Sequence, residues 1–537
     1  MGQGAALSGM LFLPPLSGWT SALAQAAPTP DKNAAPRTLF LFVDWFHIKK
    51  GELEVTLEPS RISEDGKKLL AELARDFNKT YAQGGDGRRR VDIPFGVRIT
   101  QEVANKSKPW LVADKPWEKS IGSVNVIREE DRYRCWYVAD LNQARKDVAL
   151  SEGRGMELDG MALAYAESQD GVNWTKPSLK VQSHDGSVEN NLLTAYCNGG
   201  SVFRDDHGLP EERYKIFHFD KLPDEEIHKD TETHDKYGLY GATSPDGYRW
   251  KLNSKPLVRH FSDTVNIGAW DSALGSYVGY FRCQANGGRA ISRSETKDFW
   301  NWPHPQMIVA SGPMDPSADD FYNNGYTVYP EDPSLRILFV AVYHRNSDDV
   351  DVRAAISRDG RVFQWLSYES ILPLGVSGEW DMGSIYANPD LVHLPGGRLA
   401  LPYIGYGTTH DEAWYANFYK DYKNPTAVAW ATWEDARIAG IEAPDFGEFT
   451  SHESLFQGSQ IEINARTSRA GGIQMELRER GKPIDGFTFA DCVPFNGNAI
   501  WTTAKWKGKS NLEGLRGEKL EIGIRLSRAT IFAYKYV

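Results

Sequence analysis

Short apolar runs separated by turn residues form the dominant pattern of this chain from about residue 119 onward. Residues 162–165 and 239–242 are examples: each is a four-residue apolar run that leads into a polar turn. Runs of this length, bounded by Gly, Asp, Asn and Ser, are typical of β-strands joined by tight turns. Helical spacing is clear in one stretch, residues 62–81, where Leu69, Leu70, Leu73, Ala74 and Phe77 share a face. The pattern therefore predicts an all-β fold with one early helix.

One turn recurs along this pattern. Ser168, Asp170, Gly171 and Trp174 return as Ser244, Asp246, Gly247 and Trp250. A looser copy has Ser357, Asp359, Gly360 and Trp365, and a degenerate copy keeps Ser294, Asp298 and Trp300. Asp bonds its own backbone and Gly accepts positive φ, so the pair makes a tight turn. Copies roughly 50 to 75 residues apart are typical of propeller blades.

The same longer unit surrounds each copy of the turn. Each unit contains three or four short strands, and five units span residues 120–174, 198–250, 263–302, 320–365 and 384–431. Five such units predict a five-bladed β-propeller, a fold of four-stranded blades around a central channel.

The last part of the chain has a different pattern. Residues 461–465, 472–477 and 520–526 alternate between apolar and polar positions, with turn residues between these runs. Such alternation predicts an antiparallel β-sandwich. We therefore expect four parts: an export segment and linker at 1–36, a strand, helix and lead-in at 37–118, the propeller at 119–445 and the sandwich at 446–537.

Composition narrows the function. The chain has 537 residues and a formal net charge of −11, which argues against nucleic acid and anionic membrane surfaces as partners. Aromatic residues make up 12%, which suits both blade packing and sugar stacking. The four cysteines lie far apart without metal-ligand spacing, so a zinc site is not supported.

The first 36 residues have the features of a bacterial export signal. Leu11, Phe12 and Leu13 form a short apolar region, and Ala24 and Ala26 fit a cleavage site. Neither Lys nor Arg precedes this region, so we expect the true start to lie upstream. The prediction is a periplasmic or extracellular protein with no membrane contact after cleavage; a disordered tail is the alternative.

The recurring phrase also carries a family resemblance. Ala166, Ser168, Asp170, Gly171 and Trp174 form a phrase common in five-bladed glycoside hydrolases. Over about residues 38–537 the chain resembles glycoside hydrolase families thirty-two and forty-three and an exported bacterial group with a C-terminal β-sandwich. It lacks the W-M-N-D-P-N, R-D-P and E-C motifs of family thirty-two, and the turn differs from the sialidase box. The resemblance implies a glycosidase with a carbohydrate substrate and leaves the sugar open.

Glycoside hydrolysis usually needs two carboxyl groups across the scissile bond. In a propeller the innermost strands line the channel, so acids at the starts of the units are the candidates. We predict Glu118, Asp263, Asp320 and Glu379 as catalytic carboxylates. Asp44 is the rival to Glu118, and each of these acids could instead be an ordinary loop or turn residue.

The substrate-binding candidates are aromatic residues for stacking and polar residues beside the strands. They are Asp44, Trp117, Asn191, Asn266, Arg282, Tyr322, His344, Arg345, Trp380, Asp381 and His410. Loop positions and core packing are the ordinary alternatives for each. No cofactor is required and no catalytic metal is expected, although the fold allows a structural calcium ion near the propeller axis.

Three functions follow from these features. The leading prediction is an exported glycoside hydrolase acting on poly- or oligosaccharides. The alternatives are a glycoside phosphorylase, which needs one acid and a phosphate pocket of Arg, His and Lys, and a non-catalytic carbohydrate-binding propeller. Export argues against the phosphorylase, because phosphate-conserving enzymes gain most in the cytoplasm.

Overall fold

The structure is a computed structural model that describes residues 38–55, 59–69, 88–129, 131–141, 160–194, 196–227, 233–285, 287–415 and 426–537. All of these belong to one compact unit that spans Pro36–Val537. The predicted export segment lies outside the described residues. Of the early helix predicted at 62–81, residues 64–69 are helical, residues 62 and 63 precede the helix, and residues 70–81 lie outside the described part.

Strands numbered β1 to β32 in chain order make up nearly all of the regular structure. Three four-stranded antiparallel sheets come first in the ordered core. They contain β7 (Glu118–Arg128), β8 (Tyr133–Leu141), β9 (Met161–Ser168) and β10 (Trp174–Thr175); β11 (Ser201–Arg204), β12 (Tyr214–Lys221), β13 (Tyr237–Ser244) and β14 (Lys251–Leu252); and β15 (Ile267–Asp271), β16 (Ser276–Ala285), β17 (Gly288–Thr296) and β18 (Gln306–Val309).

A ten-stranded sheet follows, built from two antiparallel groups. It contains β19 (Asp319–Tyr329), β20 (Asp332–His344), β21 (Asp349–Ser357), β22 (Gln364–Trp365), β23 (Ser384–Ala387), β24 (Val392–His393), β25 (Leu399–Tyr406) and β26 (Thr426–Trp433), joined by β5 (Asn105–Lys106) and β6 (Leu111–Val112). The two groups are connected through the parallel pairing of β21 with β23 at Val350 and Ser384.

The C-terminal strands form an eight-stranded sheet with help from the start of the chain. It contains β1 (Leu39–Leu41), β4 (Arg98–Gln101), β27 (Ala439–Thr450), β28 (Ser454–Leu455), β29 (Ile461–Glu479), β30 (Lys482–Pro483), β31 (Asn498–Thr503) and β32 (Lys519–Tyr536). A separate ribbon pairs β2 (Glu52–Val55) with β3 (Arg88–Val91). The strand predicted near residue 39 therefore lies beside β32, at Leu39 and Lys535.

Helical structure is minor in the described residues. A short α-helix spans His410–Tyr415, and 3-10 turns span Pro59–Arg61, Pro210–Glu212, Asp224–Glu226, Thr233–Lys236 and Glu513–Leu515. No helix in the described part is long and apolar enough to cross a membrane. The prediction of an all-β fold with several sheets is confirmed.

The recurring turn occupies an equivalent place in three strand groups. It links β9 to β10, β13 to β14 and β21 to β22. In the second copy Ser244 Oγ accepts the Gly247 N–H at 2.9 Å, and Trp250 Nε1 donates to the Gly247 carbonyl at 3.2 Å. The Asp246 carboxylate accepts two further backbone N–H groups, at 2.8 and 2.9 Å. The turn is therefore closed by its own side chains, as the sequence predicts.

Each turn glycine also accepts a hydrogen bond from a different sheet or strand group. Trp136 on β8 donates to the Gly247 carbonyl at 2.7 Å, and Tyr280 on β16 donates to the Gly360 carbonyl at 3.1 Å. Trp430 on β26 donates to the Gly171 carbonyl at 2.8 Å, which connects the last strand group back to the first. These bonds tie neighbouring sheets together at the turns.

Replacing Gly247 by Ala should destabilise the fold more than the same change at Gly481. Both glycines have positive φ, +78° and +76°, so both variants carry backbone strain of about 1 kcal/mol. A methyl group at residue 247 would also lie 2.6 Å from Trp136 Cζ2, whereas nothing lies within 4 Å at residue 481. Overpacking should add about 1–3 kcal/mol at residue 247 alone. Urea unfolding of both variants measures the difference; equal losses would contradict it.

Candidate functional site

One cavity of about 840 Å³ opens where the first strands of the strand groups begin. It receives residues from all five groups: Ser120 to Ser123 on β7, Asn198 and Gly199 before β11, Asp263 to Val265 before β15, Tyr322 and Asn323 on β19, and Ser384 and Tyr386 on β23. A single space shared by five separate groups is the natural place for a ligand site.

Among the described residues, two carboxylates line this cavity, Asp140 and Asp263. Asp140 lies near the end of β8, and its Oδ2 accepts a hydrogen bond from Ser120 Oγ at 2.7 Å. Asp263 precedes β15, is 42% exposed and forms an ion pair with the buried Arg282. One carboxylate therefore has a hydroxyl partner and the other a cationic partner.

Aromatic and imidazole groups form another part of the wall. Tyr322, Tyr386, Tyr406 and His410 all line the cavity. The Tyr386 hydroxyl lies 2.7 Å from His410 Nδ1, and the Tyr322 and His410 rings meet edge to face at 4.6 Å. Burial, reinforced by the Arg289 charge, lowers the pKa of His410, and burial raises that of Tyr386 well above its ordinary value. Both groups are therefore neutral at pH 7.

Of the residues predicted from the sequence, Asp263, Tyr322 and His410 line the cavity. Arg282 is close to it: its guanidinium carbon is 4.9 Å from the centre of the Tyr322 ring. Asp320 is buried and paired with two arginines, Arg289 at 2.9 Å and Arg345 at 2.7 Å.

Glu118 is enclosed by donors instead of facing the cavity. Its Oε2 pairs with Lys176 Nζ at 2.6 Å and accepts the backbone N–H groups of Asp114 and Lys115, both at 3.1 Å. Its Oε1 accepts the Tyr137 hydroxyl at 2.5 Å. These contacts give Glu118 a structural ion pair, and its assignment as a catalytic residue stays a prediction.

Trp117 and Asn191 belong to the same neighbourhood. Trp117 Nε1 donates to Asn191 Oδ1 at 3.1 Å, and Asn191 Nδ2 donates to the Tyr137 hydroxyl at 2.6 Å. Since Tyr137 in turn bonds Glu118, this chain of contacts anchors the start of β7. Neither residue is among the described residues that line the cavity.

The remaining candidates lie in local networks outside the cavity lining. Glu379 is exposed and accepts the Val376 N–H at 2.9 Å. Trp380 stacks with Tyr403, and Asp381 pairs with Lys106 at 2.8 Å.

Asp44 pairs with Arg358 at 2.8 Å. Other members are Asn266, which donates to the Thr264 carbonyl at 2.7 Å, and His344, which pairs with Asp319 at 2.8 Å.

Sequence reasoning missed Asp140, Tyr386 and Tyr406. The sequence pattern predicts carboxylates at the starts of the first strands, whereas Asp140 lies near the end of a second strand. In an antiparallel pair these two places are adjacent, and Asp140 is directly opposite Ser120 in the ladder. The signal that identifies Asp140 is a polar residue near the end of an apolar strand, and the same kind of signal predicts Arg282 and His344.

The described part of the chain gives limited support for a metal-binding site. No group of three or more His, Cys, Asp or Glu is arranged there to hold one. Four buried asparagine oxygens on or beside the first strands lack a hydrogen-bond partner there: Asn125, Asn266, Asn323 and Asn324 Oδ1. Neutral oxygens of this kind suit calcium. The structural calcium ion near the axis therefore stays a prediction.

Replacing Glu118 by Gln should reduce stability by about 3 kcal/mol, because it leaves the buried Lys176 ammonium poorly compensated. Asp114 pairs with the same Lys176 but is half exposed, so Asp114→Asn should cost under about 1 kcal/mol. Urea unfolding of the two variants distinguishes these losses. Similar small losses in both would mean that the Glu118 contacts contribute little.

His344 should make stability depend on pH. The carboxylates of Asp351 and Asp319 raise its pKa from 6.5 to about 9. Protonated His344 therefore stabilises the folded state, fully below pH 6.5, and this contribution is lost as pH rises through about 9. The free energy of unfolding should fall over this range more steeply in the wild type than in His344→Gln. Equal slopes would contradict the assignment.

No family model and no curated protein matches this sequence. Solved structures do match it, at low similarity. The N-acetylgalactosamine deacetylase from F. plautii, in complex with blood group B trisaccharide, is 13% identical and covers 63% of this chain and 96% of its own, with a TM-score of 0.42.

Two further structures match at a similar level. A glycoside hydrolase family 43 arabinoxylan arabinofuranohydrolase from Bacillus subtilis is 10% identical and covers 79% of this chain and 97% of its own, with a TM-score of 0.37. The third structure is from the GH130 family of mannoside phosphorylases, which contains glycoside hydrolases that target β-1,2 mannosidic linkages in Candida mannan. It is 13% identical, the match covers 62% of this chain and 96% of that structure's chain, and the TM-score is 0.39.

Proposed function

We propose that this protein is an exported glycoside hydrolase that cleaves its substrate in the cavity shared by the five strand groups. The observation that carries the proposal is that Asp140 and Asp263 both line this one space. Hydrolysis of a glycosidic bond needs two carboxyl groups facing a common substrate, one to donate a proton and one to act as base or nucleophile.

The fold we propose is a five-bladed propeller followed by a β-sandwich formed around β27, β29 and β32. Three observations support it: four-strand antiparallel groups repeat along the chain, their first strands share one cavity, and Trp430 connects the last group to the first. Closure of the ring would bring equivalent strand ends from every blade together at the axis.

The partners of the two carboxylates suggest how the roles divide. Asp263 is paired with the Arg282 cation, which suits it to act as the carboxylate that serves as base or nucleophile. Asp140 forms no ion pair in the described contacts, where its partner is the Ser120 hydroxyl, so it is the candidate for the proton donor. In this scheme Asp140 protonates the leaving glycosidic oxygen as its C–O bond breaks. On the opposite side of the sugar, Asp263 either takes a proton from the attacking water or forms the new bond to the anomeric carbon itself.

The tyrosine wall would hold the sugar. Tyr386 and Tyr406 present aromatic surface to the cavity, and sugar rings stack on such surfaces through their C–H faces. Neutral His410, bonded to the Tyr386 hydroxyl, offers a further polar contact for sugar hydroxyl groups. The carbohydrate partner and the export of the protein are both part of this proposal.

Asp140→Asn and Asp263→Asn should each reduce turnover by about 10²- to 10⁴-fold, because each removes an acid or base at the cavity. A panel of aryl glycosides and polysaccharides, assayed with and without phosphate, provides the substrate. Asp206→Asn, an exposed carboxylate paired with Arg204, is the matched control and should keep wild-type activity.

The carboxylates predicted from the sequence enter the same assay as Glu118→Gln, Asp320→Asn and Glu379→Gln. Full activity in both the Asp140 and Asp263 variants would contradict the proposal. Loss of activity in one of these three variants, measured under conditions in which that variant is folded, would move the site to that residue. Turnover that requires phosphate would identify a phosphorylase instead. Binding of a polysaccharide without any cleavage would identify a binding protein.

A further inference from the structure

Arg282 is a buried cation with unused donors beside the cavity. Its side chain is 4% exposed, and its Nη2 pairs with Asp263, which lines the cavity. Its Nε and Nη1 have no hydrogen-bond partner among the described residues. Buried guanidinium groups normally use their donors fully, so these two nitrogens, which carry three N–H groups, leave Arg282 with donors for an acceptor from outside the chain.

A second cation lies on the same tyrosine. The guanidinium carbons of Arg282 and Arg289 are 4.9 and 4.8 Å from the centre of the Tyr322 ring. Arg289 also lies 5.5 Å from the Tyr343 ring. Burial, with a contribution from the Arg289 charge, lowers the pKa of Arg282, which indicates that the two cations repel each other.

The carboxylates near these cations do not balance them. Asp263 pairs with Arg282, while Asp320 is shared between Arg289 and Arg345. Three guanidinium groups therefore face two carboxylates. A third carboxylate, Asp348, forms no ion pair with these arginines in the described contacts and instead accepts the Tyr343 hydroxyl and the Asp411 backbone N–H, both at 2.9 Å. In direct ion pairs the arginines therefore outnumber the carboxylates on the Tyr322 side of the cavity.

The role of Asp320 follows from this arrangement. It accepts two hydrogen bonds from Arg345, at 3.0 and 2.7 Å, and two from Arg289, one from the guanidinium at 2.9 Å and one from the backbone N–H at 3.2 Å. Gly288 leaves space for it, since a methyl group there would lie 2.4 Å from Asp320 Oδ1. Asp320 thereby fixes the Arg289 guanidinium on the Tyr322 ring and acts as a positioning residue.

We propose that Arg282 and Arg289 form a subsite for an anionic group carried by the sugar substrate, a uronic acid carboxylate or a sulfate ester. This inference rests on the proposed function, because it assumes that a carbohydrate occupies the cavity. Both anions accept charge-assisted hydrogen bonds from guanidinium N–H groups. A neutral sugar forms weaker bonds to them, so it offsets less of the desolvation cost of the guanidinium groups. The substrate class is therefore an acidic glycan.

Binding of matched ligand pairs tests the subsite without needing turnover. The panel contains glucuronate and glucose, galacturonate and galactose, and mannuronate and mannose as aryl glycosides, together with a 6-sulfated form of each neutral sugar and free inorganic phosphate. Calorimetric titration is carried out on the wild-type protein and on Asp140→Asn. At least one acidic ligand should bind about tenfold more tightly than its neutral partner.

Two variants examine whether the arginines provide this preference. Arg289→Gln and Arg282→Lys should reduce the preference for the acidic ligand by about tenfold while leaving binding of the neutral partner unchanged. Arg361→Gln removes the same charge from an exposed arginine paired with Glu295, so it should retain the wild-type preference. Thermal unfolding confirms that each variant is folded before titration; Arg289 is the safer position, because it is partly exposed.

The titrations distinguish a carboxylate subsite, a sulfate subsite and the absence of an anion subsite. Preference for uronates identifies a carboxylate as the anion, and preference for sulfated sugars identifies a sulfate ester. Three results would overturn the subsite. They are that no acidic ligand binds better than its neutral partner, that the preference persists in Arg289→Gln, or that phosphate alone binds. Failure of the proposed function appears separately, as unchanged turnover in Asp140→Asn and Asp263→Asn while the charge preference remains.

Discussion

The carbonyl group of the turn glycine is the point on which the arrangement of the sheets depends. At Gly247 this oxygen accepts the indole N–H of Trp250 from its own turn and that of Trp136 from another sheet. The same double use occurs at Gly171, with Trp174 and Trp430 as donors. Both glycines have positive φ, so a side chain there would strain the turn, and it would also lie 2.6 Å from Trp136 at residue 247 and 2.6 Å from Leu394 at residue 171.

That constraint determines where the chemistry can lie. Once the turns fix neighbouring groups side by side, the first strands all begin at one cavity, and the residues at these ends become neighbours despite long separations in sequence. Asp263 and Tyr322 reach the cavity in this way, and Asp140 joins them from the end of β8, opposite Ser120. The rigid strands hold the backbone, so the short segments before them can carry polar side chains into the space.

Acidic residues in this protein serve two different purposes. Glu118 and Asp381 are buried against Lys176 and Lys106, where removal of either partner would leave an unpaired charge. Asp140 and Asp263 keep part of their surface toward the cavity and have one partner each in the described contacts. The difference lies in how completely neighbouring donors enclose the carboxylate, which depends on contacts between distant parts of the chain.

The sequence by itself determined the local structure. Alternation of short apolar runs and turn residues specifies strands, and the spacing of Ser244, Asp246, Gly247 and Trp250 specifies the turn, because these interactions act within a few residues. It also indicated Asp263, Tyr322 and His410 from their places beside strands. The tertiary structure alone decided that Glu118 meets Lys176, that Asp140 faces the cavity and that β1 joins β32. Those contacts bring together residues far apart in the chain, and no local pattern encodes which distant donor a carboxylate will meet.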